Sequence, residues 1–164
     1  MTNDDIRSYM REAYNLADRE STDTSTKVGA FLILKNGPIT MGVNKFVAGY
    51  GDSPEHHERP LKYKITEHAE RAAVYAAARL GYPTGGSTLI CPWAACTDCA
   101  RALILAGVVE VISHAQALQQ TPERWREELQ IAKRMFAAAG VRYTWWAGDV
   151  GDCQNLFNGA YWKP

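Results

Sequence analysis

Two short segments constrain this chain more than anything else in it: His68-Ala69-Glu70 and Cys96-Thr97-Asp98-Cys99, each at the opening of a helical run. The first run, Glu67 to Leu80, is rich in alanine and ends at Gly81; the second, Arg101 to Ala106, ends at Gly107. Both read as helices with a glycine C-terminus. Between them Ser87 to Cys91 reads as a strand. Three residues turn a helix by about 300°, so Cys96 and Cys99 lie on one side and can grip one ion. The positive end of the helix dipole favours thiolate over thiol there. With His68 the donor set is two sulfurs and one nitrogen, which suits zinc and leaves a fourth position for water. Glu70 is about 200° round the helix from His68, poorly placed to share the ion. It is well suited to stand beside that water and move protons.

Either half alone says little. A lone C-x-x-C occurs in redox pairs and in structural zinc knuckles, and a helical His beside a Glu is ordinary surface. The conjunction carries the reading, because H-x-E followed by P-C-x-x-C is the signature of zinc nucleobase deaminases. On these residues the chain resembles the cytidine/deoxycytidylate deaminase superfamily, and among its branches the phage and bacterial deoxycytidylate (dCMP) deaminases. Ala95 stands where the motif has proline, which changes a loop residue and no ligand. The resemblance implies an α/β protein with a three-layer α/β/α cytidine deaminase-like fold around a mixed five-stranded sheet. It also implies a Zn2+ cofactor on His68, Cys96 and Cys99, with Glu70 as the catalytic proton shuttle. The implied reaction is hydrolytic deamination of a cytosine mononucleotide, dCMP to dUMP and ammonia. Zinc would lower the pKa of its bound water from 15.7 toward ~7. Glu70 would carry that water's proton to ring N3 and then help protonate the leaving amine.

At 164 residues the chain fits one deaminase domain, 1–164. Lys plus Arg equals Asp plus Glu at 18 each, so a polynucleotide partner, which calls for a basic excess, is not expected. A small nucleotide needs only a few local cations. No apolar run approaches transmembrane length and the N-terminus lacks the basic start of a signal peptide, so the expectation is a cytoplasmic protein of a bacterium or phage-infected cell, without membrane contact. The other two cysteines, Cys91 and Cys153, are then expected as free thiols.

Along the chain, Asp4 to Arg19 carries Ile6, Tyr9, Met10, Ala13, Leu16 and Ala17 at helical spacing. Val28 to Leu34 reads as a buried strand, Asn36-Gly37 as a hairpin turn and Ile39 to Val43 as the returning strand. Val108 to Ser113 is a strand, Thr121-Pro122 opens a helix to about Ala139, and Val141 to Trp146 is a last strand. A strand, a long helix and a strand make a parallel crossover, so the last two strands should be parallel. His114, at a strand end, reads as a surface histidine. The tail 147–164 holds Leu156, Phe157, Tyr161 and Trp162, which need cover on their own domain or on a neighbouring subunit. A homo-oligomer is expected.

The resemblance also points to substrate contacts and to departures. It implies a side-chain amide at Asn44 that contacts the nucleoside, and an amide offers both donor and acceptor to a sugar hydroxyl. The family continues Asn-Gly-x-Pro-x-Gly, near which regulated members bind nucleoside triphosphates. Here the chain reads Asn44-Lys45-Phe46-Val47-Ala48-Gly49, which argues against triphosphate regulation. The insert Tyr50 to Lys64 has no cysteine for the second zinc of some members, and His56 and His57 read as solvated. H-A-E-L-N-A appears as His68-Ala69-Glu70-Arg71-Ala72-Ala73. Arg79 stands where phage members have an arginine associated with the phosphate; with Lys45 it is the candidate phosphate cation, and its alternative is an exposed arginine complementing the dipole. Rival substrates that keep the chemistry are cytidine, a C5-modified dCMP, guanine, a riboflavin-pathway pyrimidine and a tRNA adenosine. A rival of another class is a non-catalytic structural zinc module with Cys91 or Cys153 as fourth ligand.

Overall fold

The computed structural model describes residues 1–164. Helix α1 (Asn3–Glu20) opens on a capping box: Thr2 Oγ1 accepts from the Asp5 amide at 3.2 Å, and the Thr2 amide donates to the Asp5 carboxylate at 2.8 Å. Strands β1 (Gly29–Ile33) and β2 (Ile39–Val43) follow as an antiparallel hairpin, with Gly29 opposite Val43 and Ile33 opposite Ile39. A two-residue strand β3 (Lys45–Phe46) then leads into the insert, which holds a 3-10 turn (Pro54–His57) and the short α2 (Lys62–Ile65). The insert returns as β4 (Thr66–Glu67), paired antiparallel with β3. Next come α3 (Ala69–Arg79), β5 (Thr88–Ile90), α4 (Thr97–Leu105), β6 (Glu110–His114), α5 (Ala115–Gln119), α6 (Glu123–Ala138) and β7 (Arg142–Trp146). A hairpin of β8 (Asn155–Phe157) and β9 (Ala160–Trp162) closes the chain.

The main sheet has the order β2-β1-β5-β6-β7. Its β1 pairs antiparallel with both neighbours, while β5-β6 and β6-β7 are parallel, joined through α4 and α6. The last two strands are therefore parallel, as the strand-helix-strand pattern requires.

Neighbouring strand residues point to opposite faces, and the sequence uses this. Leu32, Leu89 and Val111 enter one core with Ala73, Ala77, Leu103 and Phe136 from α3, α4 and α6. Ile90 and Ile112, each one residue later, enter a second core with Met10 and Tyr14 of α1 and with Trp146, Val150 and Cys153. The result is three layers with the sheet in the middle.

The helix that matters for the site, α3, lies unusually close to the sheet. Its inward residues Ala69, Ala73 and Ala77 are fully buried and small. Opposite them stands Gly42 of β2, where an added Cβ would fall 2.5 Å from the Ala73 amide nitrogen, 2.7 Å from Ala72 Cβ, and closer still to the Ala69 carbonyl. Thr40, two residues earlier, donates its hydroxyl to the Ala73 carbonyl at 2.9 Å, so the helix is also tethered at that spacing.

The second core corrects one expectation. His114 is fully buried rather than on the surface. Its Nδ1 lies 2.8 Å from the Tyr14 hydroxyl and its Nε2 lies 3.0 Å from the Gly148 carbonyl. A carbonyl can only accept, so the ring carries its proton on Nε2 and Nδ1 accepts from tyrosine. Nothing in the linear order signals that α1 and the tail cover that strand end, with Trp146 and Trp162 against the ring. The tail packs on its own chain: the Lys27 amide donates to the Leu156 carbonyl at 2.9 Å, and Phe157 meets Trp93 edge-on at 5.1 Å.

Candidate active site

Two helix N-termini converge to make the site. His68 is the N-cap of α3, with extended backbone angles (φ −84°, ψ 149°), fixed from behind by the β3-β4 ladder. Cys96 is likewise the N-cap of α4 (φ −72°, ψ 176°), and Cys99 lies in its first turn. The helix begins at Thr97, directly after the first cysteine and four residues ahead of the run that starts at Arg101.

His68 Nδ1 lies 3.6 Å from Cys96 Sγ and 3.5 Å from Cys99 Sγ, and the three donor atoms fall within 4.8 Å of one another. A tetrahedral ion with a Zn–S bond of ~2.3 Å and a Zn–N bond of ~2.05 Å holds sulfur and nitrogen about 3.6 Å apart. Both nitrogen–sulfur distances therefore match those of a shared zinc. The group contains three protein donors, and neither Cys91 nor Cys153 belongs to it. That leaves a position for a non-protein ligand, as in catalytic rather than closed structural sites.

The protonation of the trio reflects its crowding. Cys96 accepts a hydrogen bond from the Cys99 thiol, and this, against the opposing effect of burial, pulls the Cys96 thiol down to about 4. The donating Cys99 is pushed up by the same bond. Burial pulls His68 down, but its hydrogen bond to Cys96 and the charge of Glu70 outweigh that and raise it to about 9. A metal entering here must displace the protons that the imidazole and the two thiols share.

Glu70, 4% exposed, lines the cleft beside His68 and Cys96. Burial raises its pKa above the ordinary carboxylate value. The adjacent Arg71 turns its charge elsewhere: its Nε donates to Glu67 Oε1 at 2.6 Å, and a terminal nitrogen lies 3.7 Å from Asp98. Glu67 Oε1 also accepts from the His68 amide at 2.7 Å. Arg71, where the resemblance has leucine, thus ties the residue before one ligand to the segment carrying the other two.

Asn44 lines the cleft as well, and its amide is largely committed. Its Oδ1 accepts from the Ser21 hydroxyl and the Val28 amide, both at 2.7 Å, and its Nδ2 donates to the Thr26 carbonyl at 2.7 Å. One amide N–H remains. Thr66 is another lining residue; its buried hydroxyl has no partner in the protein.

Arg79 and Lys45 do not line this cleft. They border a separate hollow beside β2 and the far part of α3, with Met41 and Tyr75. The cations that do line the cleft are Arg59 and Lys62 from the insert and Arg124 from α6. Its walls are aromatic: Tyr63 meets Trp125 edge-on at 5.8 Å, Trp125 meets Trp93 at 6.0 Å, and Trp93 meets Phe157. Trp93 is oriented by donating from Nε1 to Thr121 Oγ1 at 3.0 Å. The sequence reading missed this wall. Its one signal was the set of cations and aromatics in the insert and at the start of α6, which nothing in the linear order connects. His56 and His57 take no part in it; His57 bonds to Asp52 at 2.6 Å and rests on Phe46.

Comparison with known proteins agrees with this geometry. Residues 3–115 match the model of the cytidine and deoxycytidylate deaminase zinc-binding region. A protein of Aliivibrio fischeri, described as an uncharacterized deaminase in the luxG 3' region, is 34% identical over 130 residues, 79% of this chain and 86% of that one. Among solved structures, the dCMP deaminase of cyanophage S-TIM5 in complex with dCMP and dUMP superposes with a TM-score of 0.69 at 24% identity, covering 89% of this chain and 99% of that one. A Thermotoga maritima diaminohydroxyphosphoribosylaminopyrimidine deaminase/reductase superposes at 0.61 and 20% identity, over 85% of this chain and 35% of that one. With residues 3–115, more than half its length, matched by the family model, the chain belongs to the cytidine and deoxycytidylate deaminase family.

Proposed function

We propose that the protein hydrolyses the exocyclic amine of a cytosine mononucleotide, converting dCMP and water to dUMP and ammonia. The observation that carries this reading is the buried carboxylate of Glu70, in one cleft with a three-ligand His/Cys/Cys group. A zinc ion on His68, Cys96 and Cys99 would supply a water acidified from 15.7 toward ~7, a nucleophile at neutral pH. Glu70 takes a proton from the water and passes it to ring N3, which makes C4 electrophilic as the water oxygen bonds to it. Glu70 then takes the proton of the new C4 hydroxyl and gives it to the amine; the C4–O bond becomes the uracil carbonyl as the C4–N bond breaks and ammonia leaves. The burial that raises the carboxylate's pKa suits a group that must both take and give a proton.

The remaining cleft groups orient the substrate. Asn44 has one N–H and Thr66 one hydroxyl to offer a sugar or base, while the aromatic wall excludes water from the reacting bond. The cyanophage enzyme of like fold binds dCMP and dUMP, and this supports a monophosphate. No helix is long and apolar enough to cross a membrane, and the balanced charge argues against a polynucleotide. Exposed Met41, Val47, Tyr75 and Leu80 on and around β2 and α3 fit contact with a second copy in a homo-oligomer, and four free, buried cysteines fit a reducing cytoplasm.

The test is a panel of dCMP, CMP, deoxycytidine, cytidine, 5-methyl-dCMP, guanine and tRNA with the zinc-loaded protein. The highest kcat/KM should be for dCMP. Equal values for dCMP and deoxycytidine would reject the monophosphate.

A further inference from the structure

The cleft contains a charge imbalance that the deamination chemistry does not use. Of its cations, Lys62 is neutralised: its Nζ lies 2.7 Å from Asp23 Oδ1 and 2.8 Å from Ser25 Oγ, and both members of the ion pair are buried. Arg59 and Arg124 have no carboxylate partner. Arg59 lies over the ring of Tyr63, 5.5 Å from its centroid, and Arg124 meets only the neutral amide oxygen of Asn158 at 3.4 Å. The acidic neighbour of Arg124, Glu123, is engaged by Arg126 at 2.9 Å instead.

The two arginines come from segments 65 positions apart in sequence, which one aromatic contact joins. Tyr63, under Arg59, touches Trp125, the residue after Arg124, with ring planes at 90°. Both side chains are exposed, as a rim must be, while the same aromatic wall runs inward through Trp93 toward the reacting end of the cleft. Two unpaired guanidinium forks at the mouth of a cleft match the oxygens of a phosphate monoester and have nothing comparable to offer a neutral nucleoside.

We infer that Arg59 and Arg124 form the phosphate-binding rim of this cleft and set its preference for a 5′-monophosphate. The inference rests on the proposed deaminase reading for its substrate but not for its anion chemistry. Arg79, in its separate hollow, has no part in it.

The experiment measures kcat/KM for dCMP and deoxycytidine in Arg59→Ala, Arg124→Ala and Arg79→Ala, together with the affinity of each for dUMP and inorganic phosphate by calorimetry. A lost charge-assisted contact corresponds to at least a tenfold change. The ratio of dCMP to deoxycytidine kcat/KM should therefore fall about tenfold or more in each rim variant, through KM, and about a hundredfold in the double variant. Arg59→Lys and Arg124→Lys should recover part of it, and Arg79→Ala should keep the wild-type ratio. An unchanged ratio in both rim variants, or a fall in Arg79→Ala alone, overturns the inference. Equal losses for both substrates also overturn it, since they mark a structural role. If the wild type deaminates neither substrate, the proposed function fails separately. The rim then stands if dUMP and phosphate binding weaken in Arg59→Ala and Arg124→Ala, and falls if they do not.

Discussion

Replacing Gly42 by alanine should damage the active site from behind, through the helix that carries it. The added Cβ would sit 2.7 Å from Ala72 Cβ and 2.5 Å from the Ala73 nitrogen, against an ordinary carbon contact of about 3.5–4.0 Å. The obstructing atoms are mostly helix backbone, so relief requires α3 to move away from the sheet by about 1 Å. Overpacking of this kind costs about 1–3 kcal/mol. Removing a glycine from the unfolded chain offsets only about 0.4–1 kcal/mol. At mid-range the clash exceeds the offset by about 1.3 kcal/mol, and at roughly 2–4 °C per kcal/mol the melting temperature should fall by about 3–5 °C. The same shift carries His68 at the N-cap and Glu70 in the first turn, and a misplacement of about 1 Å costs about 10²-fold in rate. Melting at saturating zinc, zinc content and kcat/KM for dCMP check this, with Gly51→Ala as control because nothing lies within 4 Å of its added Cβ. A Gly42→Ala protein that melts within a degree of wild type and keeps its rate would refute the argument that close packing of α3 sets the site's geometry.

Three further outcomes follow from other parts of the fold. Burial holds the His114 pKa below its ordinary 6.5. The folded chain stays neutral where the unfolded chain takes up a proton, so stability is full above pH 6.5 and declines as pH falls toward the folded pKa, by up to about 1.4 kcal/mol per unit. Urea unfolding from pH 7.5 to 5 should show this slope, and His114→Gln should flatten it; equal slopes in both would contradict it. Lys62→Met leaves Asp23 buried without its cation and should cost about 3–5 kcal/mol in urea unfolding, whereas a loss under 1 kcal/mol would mean that the ion pair does not hold the loop on which Asn44 depends. With Lys45 and Val47 in place of the family's glycine and proline, dCMP kinetics should be hyperbolic and insensitive to dCTP and dTTP; sigmoidal kinetics made hyperbolic by dCTP would show the opposite.

The parts of this molecule legible in its sequence share a reason. The runs around Leu32, Leu89 and Val111 reveal strands because they are short and apolar, and the alanine-rich run over Ala69, Ala73 and Ala77 reveals a helix ended by Gly81, because each pattern is local. His68, Cys96 and Cys99 were legible because their chemistry is rare and each half of the motif opens its own helix. Asn44 was legible as a position, but not the three hydrogen bonds that leave it one donor, since these come from residues 21, 26 and 28 folding back. The aromatic wall and the two rim arginines were illegible for the same cause on a larger scale: they join the insert, α6 and the tail by tertiary approach. His114 looked like a surface residue because a strand end says nothing about the helix and tail that cover it.

The most direct test of the central claim compares wild type with Glu70→Gln, measuring zinc content and ammonia released from dCMP on the same preparations. A buried carboxylate beside a three-ligand group, acting as proton shuttle, predicts about one zinc per chain in both proteins. It predicts stoichiometric dUMP and ammonia from wild type and a loss of at least ~10²-fold in the variant. Near wild-type ammonia release from Glu70→Gln with its zinc in place would contradict the account.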